Sequence, residues 1–378
     1  MQDKLRELER KHCIDWREYE IGELFTKRTM KGFPKKAENL EENNKGFHIF
    51  GQNIKYQYPQ RVLIDEKYLH NVDENKPILA YTSSTGELGI ITESFYRSGD
   101  NGAFQGLFFK YPDYNKNHIL YLLGALSRIF NEFGYSTGMA DILRVKVQLP
   151  TKNNEIAFNY IEEFIYTLEA ERLGTLEAYL FATDLKNTEL TLEERSALDI
   201  LEADSVSWKV FNLKGLFGSA TRGKRLKSAD RIVGNLPFVT AGETNMGISD
   251  FIGNKVQVFS ENTVTIDMFG SAKYRNYKYG ADDHVAVIHT EKLDEFSALF
   301  TASSIHKSAH AGQFDYSRNF YATDADNLII SLPVKEDGNI DYDFMANLMS
   351  AIQKHVIKDV VKYLDNRIEA TNQIIKED

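Results

Sequence analysis

Cysteine is nearly absent from this sequence, because Cys13 is the only one among 378 residues. No disulfide can form within the chain, which excludes a disulfide scaffold and a cysteine-rich zinc module. Long hydrophobic runs are missing too: the densest, residues 119–126, is far shorter than the roughly 20 residues of a membrane span. Residues 1–11 are highly charged and unlike a signal peptide. We therefore expect a cytoplasmic globular protein, and its length suits two domains.

Motifs that would indicate a catalytic centre are absent or weak. The sequence has no Gly-x-x-x-x-Gly-Lys-Ser/Thr nucleotide loop and no Asn/Asp-Pro-Pro-aromatic tetrapeptide of an amino-methyltransferase. Residues 74–76 have the Glu-x-Lys form of a magnesium nuclease site, but no Pro-Asp pair precedes them, so we interpret them as a solvated turn. His306 and His310 have no third metal ligand nearby, and residues 282–283 are more typical of a turn before a strand. We expect no cofactor or metal site in this chain.

The formal net charge of −10 is concentrated in one segment. Residues 155–204 contain thirteen acidic and three basic side chains, which accounts for the whole excess. The rest of the sequence is balanced, so local basic patches persist there. A phosphate backbone responds to charge within a screening length of about 8–10 Å. The acidic total therefore does not exclude nucleic acid as a partner.

The sequence contains an internal repeat. Residues 16–25 (WREYEIGELF) and 208–217 (WKVFNLKGLF) share a tryptophan, a basic residue, an aromatic, an aliphatic and a final Leu-Phe, 192 positions apart. Each copy later reaches a Leu-Pro pair, at residues 149–150 and 332–333, and a long helical pattern follows each pair. Motifs in the same order indicate two copies of one module. Trp16 and Trp208 are expected to anchor the start of each core.

Two long helices are predicted over residues 154–183 and 341–375. Each has a narrow apolar stripe, which needs a partner helix to be buried. We predict that the two helices form an antiparallel, coiled-coil-like pair; the alternative is that each packs only on its own domain. The residues expected at helix interfaces are Ile161, Ile165, Leu168, Leu176, Leu180, Ile352, Val356, Val360, Leu364 and Ile368.

The predicted fold class is mixed α/β, with two tandem domains. Strand-like runs lie at residues 46–50, 77–81, 89–92, 107–110, 238–240, 256–259, 263–267 and 285–289. Helical periodicity also covers residues 1–13 and 117–133. The expected order is an N-terminal helix and first domain (1–150), a spacer helix with an acidic connector (151–205), a second domain (206–333) and a second spacer helix (334–378).

Basic segments occupy equivalent positions in the two copies, directly after each Leu-Phe. Lysines and arginines on surface loops contact DNA phosphates and set most of the affinity and its salt dependence. Solvated charge is the usual alternative, but the equivalent placement favours DNA contact. The residues expected to contact DNA are Lys27, Arg28, Lys31, Lys35 and Lys36 in the first copy and Arg222, Lys224, Arg225 and Lys227 in the second.

Polar, glycine-rich segments form a second candidate set for DNA contact. Short polar side chains reach base edges, and glycine permits close backbone approach. Ordinary turn chemistry is the alternative. The candidates are Ser83, Ser84, Thr85, Thr240, Asn245, Ser271, Lys273 and Arg275.

This order of motifs resembles the specificity subunit of type I restriction–modification enzymes and of the related type IIB systems. The resemblance covers nearly the whole chain and is densest at residues 208–217, 222–226, 236–242, 265–270 and 282–285. It implies two target-recognition domains on the halves of a bipartite double-stranded DNA site. It also implies helices that set the spacer and dock two methyltransferase subunits, with restriction subunits as further partners. Any S-adenosylmethionine, ATP or magnesium would then be bound by partner subunits.

Two other functions stay open on the residues alone. One is a nuclease or methyltransferase acting alone, against which the missing cofactor and metal motifs speak. The other is a stand-alone DNA-binding regulator, whose helices would serve only to pack its own domains. Co-purification of a methyltransferase would argue against this second alternative.

Overall fold

A computed structural model divides the chain after residue 176 into Met1–Leu176 (unit 1) and Glu177–Asp378 (unit 2). The structure describes residues 1–34, 40–51, 54, 57–82, 85–99, 104–132 and 142–377. The boundary between the units falls within a long helix, so the helix that follows the first Leu-Pro pair belongs to both.

Unit 1 is a mixed α/β fold that begins with a short helix. Its helices are α1 (Gln2–His12), α2 (Ile21–Leu24), α3 (Lys116–Asn131) and α4 (Phe158–Ala182), the last of which ends in unit 2. Its strands are β1 (Asp15–Glu20), β2 (Phe25–Thr29), β3 (Phe47–Phe50), β4 (Gln57–Val62), β5 (Ile78–Thr82), β6 (Leu88–Ile91), β7 (Phe95–Arg97), β8 (Phe104–Phe109), β9 (Lys146–Lys152) and β10 (Glu155–Ile156). The sheets have the orders β1-β9-β10, β2-β8-β5-β6 and β4-β3-β7.

Unit 2 is built in the same way. Its helices are α5 (Leu192–Glu202), α6 (Leu213–Phe217), α7 (Glu295–Ala309), α8 (Ala322–Asn327) and α9 (Tyr342–Glu377). Its strands are β11 (Trp208–Asn212), β12 (Thr221–Arg222), β13 (Val233–Val239), β14 (Ile248–Ile252), β15 (Thr263–Asp267), β16 (Ala272–Arg275), β17 (Gly280–Ala281), β18 (Val285–Ile288) and β19 (Ile329–Pro333). The sheets have the orders β11-β19, β12-β18-β15-β16 and β14-β13-β17.

The matching strand orders confirm the internal repeat. The four-stranded sheet of each unit is antiparallel throughout. Each of the three-stranded sheets β4-β3-β7 and β14-β13-β17 combines one antiparallel pair with one parallel pair, β3 with β7 and β13 with β17. Parallel pairs need a crossover connection, so their recurrence at the same place shows that the two units share a topology as well as short motifs.

The first and last motifs of each repeat are neighbouring antiparallel strands. In unit 1, Trp16 on β1 lies opposite Pro150 on β9, and in unit 2, Trp208 on β11 lies opposite Pro333 on β19. The prediction that the tryptophans anchor the cores is wrong, because each is 48% exposed. Both stand on edge strands, where alternate side chains face outward. Trp208 stacks on Phe300, with ring centroids 6.3 Å apart.

Helix packing against the sheets forms the main core of each unit. In unit 1 the periodicity predicted for residues 117–133 is confirmed, since Ile119, Leu122, Leu126 and Phe130 of α3 are buried. In unit 2 the corresponding place is taken by α7, which packs on β16, β19 and α9. The sequence did not predict α7, because it is buried on several sides and has no continuous polar face.

Two expectations about extended and helical segments need correction. Residues 256–259 do not form a strand; Phe259 makes an isolated bridge with Tyr279 instead. Along α9, Leu364 is buried as expected, but Ile352, Val356 and Val360 are exposed, Val356 by 71%. The buried face of α9 passes through Ala351 and Val361 instead, and α5 packs on α9 beside Ala351, where Glu194 bonds Ser350 and Lys354.

Burial of the other expected interface residues varies along the two helices. Ile161, Ile165 and Leu180 are buried, whereas Leu168 and Leu176 are half-buried on α4. Ile368 on α9 is half-buried as well.

Candidate nucleic-acid interface

Residues 222–231 of unit 2 form an exposed basic segment that begins on β12 (basic segment 2). Arg222, Lys224, Arg225 and Lys227 are all exposed. The glycine between the first two is required sterically, because a Cβ atom on Gly223 would lie 1.6 Å from the carbonyl oxygen of residue 281. The segment therefore lies against β17 and presents four cationic side chains to solvent, as DNA phosphate contact requires.

Asp282 connects basic segment 2 to a second loop, residues 240–247. Its backbone amide donates to the carbonyl oxygen of Val239 (3.0 Å), the residue at which β13 ends and loop 240–247 begins. Its carboxylate accepts from the backbone amide of Leu226 in basic segment 2 (3.3 Å). The two loops therefore flank the same short segment at one edge of unit 2.

Loop 240–247 has an unusual backbone conformation at its tip. Its ends are joined by a hydrogen bond from the Thr240 amide to the Gly247 carbonyl oxygen (2.9 Å). Asn245 (φ 50°) and Met246 (φ 57°) both lie in the left-handed region, and both are exposed. This region costs a residue other than glycine about 1–2 kcal/mol, with asparagine the better tolerated of the two. Surrounding contacts must therefore hold the tip in place.

Three buried charged residues hold loop 240–247 from beneath: Asp267, Lys273 and Arg275. Arg275, only 1% exposed, donates from Nη1 to the Met246 carbonyl oxygen (2.8 Å). Asp267 accepts from the backbone amide of Gly242 at Oδ2 (3.2 Å) and lies 3.7 Å from Lys273 Nζ. The loop is thus tied to β15 and β16 at two points of its backbone.

Ser271, Lys273 and Arg275 therefore do not occupy the surface positions expected from the sequence. All three are buried, and Lys273 Nζ donates to Ser271 Oγ (2.8 Å) and to Glu243 (3.2 Å). Hydrogen bonds from Ser271, and then from Lys273, lower the pKa of the Glu243 carboxyl. These side chains support the loop from inside, because β16 is paired within the four-stranded sheet and α7 covers it.

Of the corresponding cations of unit 1, two of the three that the structure describes lie on a strand. Lys27 and Arg28 belong to β2, where they pair with β8, and the Arg28 guanidinium lies 4.4 Å above the Phe108 ring. Arg28 and Lys31 are exposed and Lys27 is half-buried. The expected basic loop therefore begins as a strand, as it does at β12 of unit 2.

The polar candidates of unit 1 fall mostly beyond what the structure describes. Thr85 is exposed, and its hydroxyl accepts from the backbone amide of Glu87 (3.4 Å). Lys35, Lys36, Ser83 and Ser84 lie outside the described residues.

The weak metal and nuclease motifs have structural roles. His306 Nδ1 accepts from the Ala272 amide (3.1 Å), and His310 Nδ1 bonds the Phe269 carbonyl oxygen (3.0 Å), so both histidines fix the turn before β16. Lys76 of the Glu-x-Lys tripeptide donates to the Pro112 carbonyl oxygen (2.8 Å). Among the described residues, one group of three side chains has metal-ligand spacing, at positions 282–284. There the first carboxylate accepts the Leu226 amide bond described above.

Comparison with known proteins identifies the family. Residues 14–178 and 205–377 match the type I restriction modification DNA specificity domain, once for each unit. The chain belongs to this family. Its function is therefore DNA sequence recognition within a restriction–modification system, as the resemblance in the motifs implied.

Individual relatives agree with this assignment. Over 250 residues the chain is 27% identical to the type II restriction enzyme BgcI specificity subunit S.BcgI of Heyndrickxia coagulans, covering 65% of this chain and 69% of that one. Its fold is similar to the crystal structure of a type I restriction–modification S subunit from M. genitalium. That similarity has a TM-score of 0.58 at 14% identity and covers 96% of this chain and 94% of the other. No helix among the described residues is long and apolar enough to cross a membrane.

One exposed residue of this surface was not predicted. Met246, 53% exposed, lies beside Asn245 at the tip of loop 240–247. The signal for it in the sequence was Gly247, since an Asn-x-Gly sequence between two strands is typical of a turn with left-handed residues.

Proposed function

We propose that DNA recognition is divided between the two units, each of which binds one half of a bipartite duplex site. The observation that carries this proposal is the repeated topology with exposed cations on β2 and on β12, the same strand of each four-stranded sheet. Cations at one equivalent place in two copies suit two separate stretches of phosphate backbone. The expected contacts of unit 2 are reduced to those that remain exposed or half-buried: basic segment 2, Thr240 and Asn245.

The long helices are proposed to set the spacing between the half-sites. Within unit 2, Lys186 bridges Glu177 at the end of α4 (3.1 Å) and Asp365 of α9 (2.8 Å). Further along the connector, Lys354 of α9 donates to the Glu189 carbonyl oxygen (3.0 Å). As the connector advances from residue 186 to 189, its partners on α9 move back from 365 to 354, which supports an antiparallel arrangement of this part of the chain and α9.

The exposed apolar side chains of α9 are the proposed docking surface for methyltransferase subunits. Ile352, Val356, Val360 and Tyr363 are exposed on this helix. A stand-alone regulator whose helix only packs its own domain has no use for such side chains, whereas a subunit interface does. These residues therefore favour a subunit of a complex over the regulator. Two methyltransferase subunits would match the two repeats, and restriction subunits would join them.

We propose further that all catalysis is carried out by partner subunits. Family membership makes this chain a recognition component. The two histidines and the lysine of the Glu-x-Lys tripeptide, which have the spacing of metal and nuclease motifs, are engaged in turns and backbone contacts. We therefore propose that S-adenosylmethionine, ATP and magnesium bind to the partners and that this chain has no catalytic centre.

Selection from a randomised duplex library tests the proposal. The full chain, alone and with its methyltransferase subunits, should enrich one motif made of two short conserved blocks separated by a fixed number of unconserved base pairs. A motif with a single block would contradict the division between the units. Methyl transfer by the purified chain alone, in the presence of S-adenosylmethionine, would contradict the assignment of chemistry to partners.

A further inference from the structure

The tip of loop 240–247 has the properties of a base-reading element. Asn245 and Met246 project from it into solvent, and both have left-handed backbone conformations (φ 50° and 57°). An exposed turn with no further role would be relaxed by glycine at these positions. Here an amide and a thioether are presented on a backbone that is unfavourable for them.

The position of the tip suits contact with bases rather than phosphates. Asp282 links loop 240–247 to basic segment 2 through bonds to Val239 and Leu226. A duplex held by the cations of that segment would therefore meet loop 240–247 as the neighbouring protrusion. The tip itself carries no basic side chain, so it adds little to sequence-independent attraction.

Rigidity of the loop supports sequence discrimination. Arg275 fixes the Met246 carbonyl oxygen at the tip, and Asp267 fixes the Gly242 amide at its base. A side chain that distinguishes bases must be held close to its productive geometry by its supporting residues. These two buried charged groups provide such support, because displacement of the loop would break the bond of each to the loop backbone.

We propose that Asn245 reads an adenine–thymine pair in the major groove and is a specificity-determining residue of unit 2. The asparagine amide offers one acceptor and one donor side by side, which match N6 and N7 of adenine. Met246 would pack against the methyl group of a thymine in the same block. Asp267 and Arg275 act as positioning residues for the loop. This inference rests on the proposed function, since it needs each unit to read its own block.

The test compares enriched motifs from a randomised duplex library for the full chain and its variants. Asn245→Gly removes the amide while keeping a residue that tolerates the left-handed backbone, so folding should be retained. Asn235→Ala, at an exposed position on β13 away from the loop, is the matched control. We expect Asn245→Gly to lose preference at one A·T position of one block, by about 10- to 100-fold. The other block, the affinity for non-specific duplex and the control motif should be unchanged.

The outcomes separate this inference from the function on which it rests. A wild-type motif with two blocks that Asn245→Gly leaves intact would overturn the role of Asn245 and leave the function standing. Loss of preference at every position of the block would also overturn it, because the residue would then only shape the loop. Failure of the wild-type chain to enrich any motif would overturn the proposed function, and the inference with it.

Arg275→Lys tests the positioning role separately. The variant keeps the charge but loses the guanidinium geometry, which lets Arg275 donate to Met246 and to Thr265 at once. We expect preference to weaken at the same A·T position as in Asn245→Gly. A lower melting temperature with an unchanged motif would show that Arg275 stabilises unit 2 without positioning Asn245.

Discussion

Cationic side chains in unit 2 fall into two groups that the sequence did not separate by exposure. Arg222, Lys224 and Arg225 are exposed, whereas Lys273 and Arg275 are buried beneath loop 240–247. DNA contact was predicted for all five, with phosphates for the first group and with base edges for the second. Strand pairing and coverage by α7 decide the difference, and neither is encoded locally. The basic character of the site was thus predictable, but the identity of its contacting residues was only partly so.

Replacing Arg222, Lys224 and Arg225 together with alanine should weaken DNA binding and make it less sensitive to salt. If each contacts one phosphate, the slope of log affinity against log salt concentration falls by about 3, because fewer counterions are released. Fluorescence anisotropy of a labelled duplex over a salt series measures this slope.

The control is a second triple alanine variant, at Lys209, Lys292 and Lys307. These lysines are exposed on unit 2 outside basic segment 2. It removes the same charge from the chain. A slope that changes equally in both triple variants would mean that net charge, not this segment, governs binding.

Glu194 forms a buried polar cluster that holds α5 against α9. Its carboxylate accepts from Ser350 (2.5 Å), Lys354 (2.9 Å) and the Thr191 amide (2.8 Å). Burial acts to raise the pKa of this carboxyl, but the three hydrogen bonds outweigh it, and the net effect lowers the pKa. The acidic connector therefore contributes a defined packing contact as well as charge.

This cluster predicts a pH-dependent stability. Because the pKa of Glu194 is lower in the folded chain than its usual value of about 4.3, its contribution is present at neutral pH and is lost as the pH falls below that value. Glu194→Gln should cost about 1–3 kcal/mol at pH 7, and its melting temperature should approach that of the wild type as the pH approaches 3. Glu193→Gln, at the exposed neighbouring position, is the control. A melting-temperature difference that is constant between pH 7 and pH 3 would refute the assignment.

The two long helices were predicted well in extent and less well in orientation. The bounds of α4 and α9 lie close to those expected, because long apolar periodicity is a strong signal. The buried face of α9 differs from the predicted stripe between residues 351 and 361. A periodic stripe specifies that a face is apolar, but not whether it is covered by the same chain or by another. In the structure α5 packs on α9, and most of the predicted stripe lies on the face of α9 that remains exposed.

Val356→Asp should prevent assembly with methyltransferase subunits while leaving the isolated chain intact. Val356 is 71% exposed, so the substitution should change the stability of the chain by less than about 0.5 kcal/mol. A charge placed in an apolar interface is strongly unfavourable, and the methyltransferase should no longer co-elute in size-exclusion chromatography. Lys358→Gln, at an exposed position about 200° further around the helix, changes the net charge by the same single unit and is the control. Normal co-elution of the Val356 variant would place the docking surface elsewhere.

The duplication of the chain was the feature that the sequence predicted most securely. Motifs at its two ends recur in order, and the strand pairs β1–β9 and β11–β19 explain why these motifs occur together. The parallel pairs β3–β7 and β13–β17 were not predictable, because the connections that produce them carry no common motif. The number of domains was therefore predictable from the sequence, whereas the strand topology within each domain was not.

Inserting four residues after Ala170 in α4 should lengthen the preferred spacer between the two half-sites. One added turn extends the helix by about 6 Å, which corresponds to about two base pairs at 3.4 Å each. The same insertion after Gly312, in the exposed loop that follows α7, leaves the long helices unchanged and serves as the control. Library selection reports the spacer directly. Retention of the original spacer by the α4 variant would show that this helix does not set the spacer length.

The adjacent antiparallel strands at the two ends of each recognition unit also bear on inheritance. A coding segment from β1 to β9, or from β11 to β19, encodes a globular part whose first and last strands are paired with each other. Recombination at those ends would insert a replacement segment of the same topology at the same pair of neighbouring strands. On the proposed function, such an exchange would change the DNA block that one unit reads, while the exposed side chains of α9 that are proposed to dock methyltransferase subunits would stay the same.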